Sequence, residues 1–141
     1  MKNHPGSYVL LLACSINASV SVGKSRTMNL KPGYYTYCGS AFGPGGISSR
    51  VKRHLKLNKK KHWHIDYLRD KCTIKEVWVC YRTENLEHQW AEDFSNQKKS
   101  IIPLKKFGST DCKCQTHFFH FNAKPAVSWL TSSGKIKRIK F

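Results

Sequence analysis

The chain has 141 residues and a mass of 16.2 kDa, which leaves room for one domain of ordinary size and too little for a second core. Hydrophobic residues at 40% and aromatics at 12%, against 23% charged, supply enough apolar material to fold and exclude a disordered tail. Its 25 Lys plus Arg against 8 Asp plus Glu give a formal net charge of +17, which excludes an enzyme without a polyanionic partner as the default picture and favours nucleic acid or an acidic membrane surface.

Taken in chain order, residues 7–13 form a continuous apolar run of strand length. The segment 9–14 resembles a short signal-peptide core, but it is barely long enough, follows Pro5-Gly6 directly and is needed as a strand. Val20 and Val22 alternate with Ser19, Ser21 and Gly23, the pattern of a short edge strand or a wide turn. After the Pro32-Gly33 turn signal, residues 34–38 make an aromatic strand. Beyond Gly43-Pro44-Gly45-Gly46, the spacing of Ile47, Val51 and Leu55 predicts an amphipathic helix ending near Asn58. Residues 63–68 read as a second short helix and 73–81 as a strand. Leu86, Trp90 and Phe94 then predict a helix from about residue 83 to 96 with Thr83 as N-cap, and it carries Glu84, Glu87, Glu92 and Asp93. A turn-rich segment, 106–114, precedes an aromatic strand at 117–121 and an apolar run at 126–130. The end, 134–141, is basic and reads either as an edge strand or as a loose arm. Without repeats or a linker, residues 1–141 form a single domain, with 122–141 as a C-terminal extension or basic arm.

The six cysteines are expected to be free thiols in a cytoplasmic protein, since the chain exceeds the usual disulfide-stapled size, and Cys38 and Cys80 fall in apolar runs that suit the core. No apolar run approaches the roughly 20 residues that span a bilayer, and no helix outside the expected core joins a wide apolar face to basic edges. A membrane partner is therefore not expected.

Charge is concentrated at residues 48–71, where nine Lys or Arg face two Asp. A basic helix running into a basic loop can track a phosphate backbone, and Lys52, Arg53, Lys56, Lys59, Lys60 and Lys61 are the candidate nucleic-acid contacts. Arg50 and His54 stand four apart on one helical face beside the buried stripe: either a phosphate clamp, or an ion pair and a packed ring. Glu87 lies at the edge of the later helix's buried face and serves either as a Mg²⁺ ligand beside a phosphate or as a salt-bridge partner. Cys112, Cys114, His117 and His120 have residue types that suit zinc. On a strand, however, His117 and His120 face opposite sides, so zinc is not expected at these four. His62 and His64, which flank Trp63 near Asp66, fit a packed aromatic helix as well as a metal.

Several of these parts fall in a familiar order. Gly6-Ser7-Tyr8, Tyr37-Cys38-Gly39, Arg50 with His54, and Glu87 on the helix after a strand together resemble the GIY-YIG nuclease domain. The stretches Gly33-Tyr34-Tyr35-Thr36-Tyr37-Cys38-Gly39-Ser40-Ala41, Gly43-Pro44-Gly45-Gly46, Arg53-His54-Leu55, Trp63-His64-Ile65-Asp66-Tyr67-Leu68 and Phe107-Gly108-Ser109-Thr110-Asp111-Cys112 more closely resemble its DUF123 branch, the Uri-type endonucleases. Three departures stand out: Ser7 where an apolar residue is usual, the Gly43 to Gly46 insertion, and no clear match to a late Asn, for which Ser109 and Asp111 are the candidates.

The resemblance implies an α+β fold, a small three-stranded antiparallel sheet flanked by helices, here with a β-rich C-terminal extension. It implies a phosphodiesterase using Mg²⁺ or Mn²⁺, in which Tyr37 is the general base, Tyr8 its hydrogen-bonding neighbour, Arg50 and His54 the phosphate-binding pair and Glu87 the metal ligand. A tyrosine titrates near 10, so the base role needs cationic neighbours, which this chain has in surplus. The expected activity is endonucleolytic hydrolysis of DNA, with RNA as an open substrate. The alternative is a non-catalytic nucleic-acid-binding module with the same fold, and the two differ in whether Tyr37, Arg50 and Glu87 converge on one pocket.

Overall fold

A computed structural model describes residues 1–141 apart from Asn58, His62 and Asp111. The expectations that fall on those three positions, a helix end, a ring beside Trp63 and a substitute for the late Asn, lie outside the described residues.

Strand β1 (Gly6–Cys14) is followed by β2 (Ala18–Val22), β3 (Arg26–Leu30) and β4 (Gly33–Ala41). Helix α1 (Gly46–Leu55), a 3-10 turn at His64–Leu68, β5 (Thr73–Cys80), α2 (Glu87–Ser95), β6 (Phe118–Phe121), two 3-10 turns at Val127–Trp129 and Ser133–Lys135, and β7 (Lys137–Lys140) complete the order. The architecture is α+β. The main sheet is larger than expected: the antiparallel trio β4-β1-β5 is its middle, and β6 and β7 extend it to five strands. β6 adds to β4 through the aromatic pairs Tyr35↔His120 and Tyr37↔Phe118. The basic tail is a strand and not a loose arm, because β7 pairs with β5 and Arg138 meets Glu76 at 2.9 Å. Val20 and Val22 belong to a separate two-stranded hairpin, β2-β3, whose second strand went unread because Arg26–Leu30 lacks an apolar run.

β1 reads as a continuous apolar run because both faces of the sheet are covered. Tyr8, Leu10 and Leu12 pack on one side with Ile47 and Val51 of α1, Ile65, Leu68 and the hairpin. Val9 and Leu11 pack on the other with Cys38, Trp78 and Cys80 and with Leu86, Trp90, Ala91 and Phe94 of α2. The expected core role of Cys38 and Cys80 therefore holds, both being fully buried.

Helix α2 starts three residues later than the Thr83 cap predicts. Its N-cap is Leu86, which offers no side-chain cap; instead the Leu86 N–H donates to the buried Ser7 Oγ at 2.8 Å. Ser7, the polar departure in an apolar strand, thereby fixes the helix start and with it Glu87. α1 ends at Leu55, where basic side chains replace a conventional cap: Lys59 Nζ donates to the Arg53 and His54 carbonyls at 2.9 and 3.1 Å, and Arg69 Nε to His54 O at 2.8 Å. Among the described residues no helix is long and apolar enough to cross a membrane.

Candidate active site

Where β1 begins and β4 ends, the two faces of the sheet meet at a cleft of about 190 Å³ lined by Tyr8, Tyr37, Gly39, Ser40, Arg50, Trp63, Glu87 and Gly108. Four of the residues singled out from sequence, Tyr8, Tyr37, Arg50 and Glu87, come from β1, β4, α1 and α2 and share it. Tyr8 faces Gly39 across the strand pair, and a side chain on Gly39 would collide with the Tyr8 ring. Gly108, at φ +73°, closes the cleft from the loop after α2; a Cβ there would sit 2.8 Å from Cε1 of Tyr37. Its N–H donates to His64 Nδ1 at 2.8 Å, which anchors that wall to the 3-10 turn.

Arg50 is clamped from two sides. Its Nη1 donates to the Ser40 carbonyl at 3.0 Å, and its guanidinium lies 4.4 Å from the centre of the Trp63 ring. Arg53 stacks against the same ring at 4.3 Å, so Trp63 spaces two cations that would otherwise repel. Glu87 accepts from Ser40 Oγ at 2.6 Å through one oxygen, and its other oxygen lies 2.8 Å from His117 Nδ1, close but not in line as a hydrogen bond. Burial would raise its carboxyl, but the His117 ring and the Ser40 hydroxyl outweigh it and hold Glu87 below the usual carboxylate range.

His54 does not line the cleft. It sits behind Tyr8, 1% exposed, with Nε2 at 2.7 Å from the Tyr8 hydroxyl and Nδ1 without a hydrogen-bond partner among the described residues. Burial, reinforced by Lys59, lowers it to about 3, so the ring is neutral and adds no charge for a phosphate. It orients Tyr8 instead. The cationic-neighbour argument for Tyr37 is also reversed: burial, then Tyr8 and Glu87, push its hydroxyl well above 10, and Arg50 only partly opposes them. Burial raises Tyr8 likewise.

A His54 whose folded value is depressed from 6.5 binds no proton where the unfolded chain does. Its contribution to stability is complete above about pH 6.5 and is lost as pH falls towards 3, with a slope of up to about 1.4 kcal/mol per pH unit. Denaturant titrations between pH 7 and 5, above the range of Glu76 and Glu87, should show this slope together with same-sign contributions from His64 and His120, which burial also lowers, and His54→Gln should reduce it.

The basic surface divides into exposed cations and cations committed to buried partners. Lys52, Lys56, Lys60 and Lys61 are exposed, and the first three line an open depression with Arg53, Lys59 and Ser49. Lys61 lies 5.0 Å from the centre of the Tyr67 ring. Arg53 Nη1, by contrast, meets both oxygens of the buried Asp66 at 3.2 and 3.0 Å, and Lys59, its side chain 7% exposed, reaches Asp66 at 3.3 Å. Lys59 is thus a helix cap rather than a surface contact.

Ser40, Trp63 and Gly108 lay within conspicuous motifs but gave no signal of a role, because what they do is hold other site residues. His88 gave none at all: its neighbours come from a loop 24 or more residues away and meet it only in the fold.

The family model described as Domain of unknown function DUF123 matches residues 7–137, nearly the whole chain, and the chain belongs to that family. No curated protein and no solved structure matches it.

Proposed function

We propose that this DUF123 protein is a GIY-YIG-type endonuclease that hydrolyses DNA phosphodiester bonds in the cleft between β1, β4, α1 and α2. The observation that carries the reading is convergence: Tyr8, Tyr37, Arg50 and Glu87, spread over 80 positions of sequence, line one small opening beside a field of exposed lysines.

Glu87 is the residue that would hold Mg²⁺ or Mn²⁺. The fit is that of a single ionised carboxylate, its side chain 18% exposed, with lone pairs to spare beyond its contacts with Ser40 and His117. When bound, the cation supplies positive charge to the phosphate and the leaving oxygen and draws down the pKa of hydroxyl groups beside it. Arg50, pre-positioned by the Ser40 carbonyl and the Trp63 ring, turns the rest of its donor fork to the phosphate, where it stabilises charge as the transition state forms. Tyr37, in the fraction of molecules in which its hydroxyl has ionised, takes the proton from the attacking water. Tyr8, its hydroxyl tied to the neutral His54, lines the cleft with Tyr37, and both tyrosine rings pack against the His54 ring.

A cleavage panel of duplex, flap, branched and single-stranded DNA, with matching RNA, in Mg²⁺ and in Mn²⁺, tests the proposal. Cleavage of at least one DNA form that stops on chelation is the expected result. Binding without any cleavage would instead leave a nucleic-acid-binding module.

Binding itself should follow the exposed cations. Lys52→Ala should reduce the slope of log affinity against log salt by about one unit. Lys59→Ala should leave that slope alone and lower the melting temperature, because two helix-end carbonyls and Asp66 lose a partner. An equal loss of slope from both variants would contradict this division of the lysines.

A further inference from the structure

Beside the cleft, four metal-ligand side chains that the proposed reaction does not use come together: His88 on the first turn of α2, Cys112 and Cys114 in the following loop, and His117 just before β6. Their donor atoms all lie within 4.8 Å of one another. Cys114 Sγ is 3.4 Å from His88 Nδ1, and Cys112 Sγ is 3.6 Å from His117 Nε2. Tetrahedral zinc, with bonds of about 2.3 Å to sulfur and 2.0–2.1 Å to nitrogen, sets its ligand atoms roughly 3.3–3.8 Å apart. Both separations fall in that range.

The zinc set excluded on sequence grounds relied on His120, and that residue stays away: its Nε2 faces the Pro32 carbonyl at 3.0 Å. His88 fills the vacant role from a different element. We propose that His88, Cys112, Cys114 and His117 bind one Zn²⁺ in a closed site, the two thiols giving up their protons as the metal binds. With four protein ligands the ion has no open position for water, so its work is positioning.

Two further features fit a metal here. His117 turns its other nitrogen, Nδ1, to within 2.8 Å of Glu87 Oε2, out of line for a hydrogen bond but within a small ring rotation of the carboxylate–histidine–metal arrangement by which an outer carboxylate fixes a ligand ring. Metal on Nε2 requires the proton on Nδ1, facing that carboxylate. The second feature is the loop itself. Between the end of α2 and β6 the described residues of 96–117 hold no helix or strand beyond a single bridge at Ile101, a long connection for so small a domain. It is drawn into place around the cysteines: Lys106 Nζ donates to Cys112 O at 2.7 Å and Ser109 Oγ to Cys114 O at 3.2 Å. The same loop carries Gly108, the wall over Tyr37, so a zinc clip to α2 would set both that wall and the approach to Glu87.

The site stands whether or not the cleft cuts DNA, and its test reads metal alone. The full chain, purified untagged without added metal, should contain close to one zinc per molecule by elemental analysis. His88→Ala, at an exposed ligand, and Cys112→Ser should each lower the retained zinc at least tenfold, while His120→Ala should keep it. His88→Cys should retain zinc through a three-sulfur set. Because a cysteine variant can fail to fold, cobalt exchange of the wild-type protein supplies a second readout: intense visible bands of a tetrahedral ion together with a thiolate-to-cobalt charge-transfer band. A wild-type chain that neither holds nor takes up zinc overturns the proposal, as does a cobalt form with the weak spectrum of an octahedral ion and no thiolate band.

Discussion

Glu87→Gln is expected to lower DNA cleavage by at least about two orders of magnitude while DNA binding stays the same or tightens. The substitution keeps size and both polar ends, so Ser40 Oγ can still donate to the amide oxygen and the Leu86–Ser7 bond that fixes the helix start is untouched. What disappears is one negative charge in a chain that has only eight acids, and it disappears from the place where a phosphate must come close. Repulsion between carboxylate and phosphate falls in the ground state, and the anchor for a divalent cation is lost in the transition state. Melting temperature serves as the folding control. Because Glu87 is held ionised below the ordinary carboxylate range, the wild-type rate should not fall between pH 7 and 5 on its account. A Glu87→Gln protein that cuts as well as the wild type would remove the metal role from this residue and leave the carboxylate as a brace for His117.

The parts of the fold written in local patterns were readable: the β1 run, the stripe of α1, and the Leu86, Trp90 and Phe94 face of α2 all sit where periodicity puts them. What was not readable depends on partners far away in sequence. β7 is a strand because β5 has an edge to offer, and nothing in Lys137–Lys140 says so alone. The start of α2 was misplaced because its capping hydroxyl, Ser7, lies 79 residues earlier. The site followed the same rule. Residues that face the cleft were recognisable by type and order, whereas electrostatic environment was not: a surplus of lysines suggested tyrosines made acidic by cations, and burial reverses that at Tyr37. His54 gives the same lesson, since four-residue spacing put it beside Arg50 on one helix face but could not reveal that Tyr8 stands between it and the cleft. Lys59 looked like one more surface charge until its ammonium was found across the end of α1.

The reversal at Tyr37 gives the second large effect, a cleavage rate that climbs with pH. A hydroxyl held well above 10 is almost wholly protonated at neutrality, so the fraction able to accept a proton rises tenfold for each pH unit. The log rate should therefore rise with pH from about 7 to 9, with a slope near one where the hydroxyl keeps its high value and a shallower one where a bound cation draws that value down. No descending acid limb from His54 should interrupt it, because that ring changes charge only near 3. Tyr37→Phe should cost roughly 10²–10⁴-fold, the usual worth of a positioned general base, and abolish the slope while the ring still packs against Phe107 and faces Gly108. Tyr8→Phe removes the bond to His54 and the hydroxyl's interaction with Arg50, so it should lower the rate less than Tyr37→Phe and leave the slope in place. A profile that stays flat from pH 7 to 9, or a Tyr37→Phe enzyme of near wild-type rate, would take the base role from Tyr37; water activated at Glu87 would then be the source of the nucleophile, and the tyrosines would be walls of the cleft.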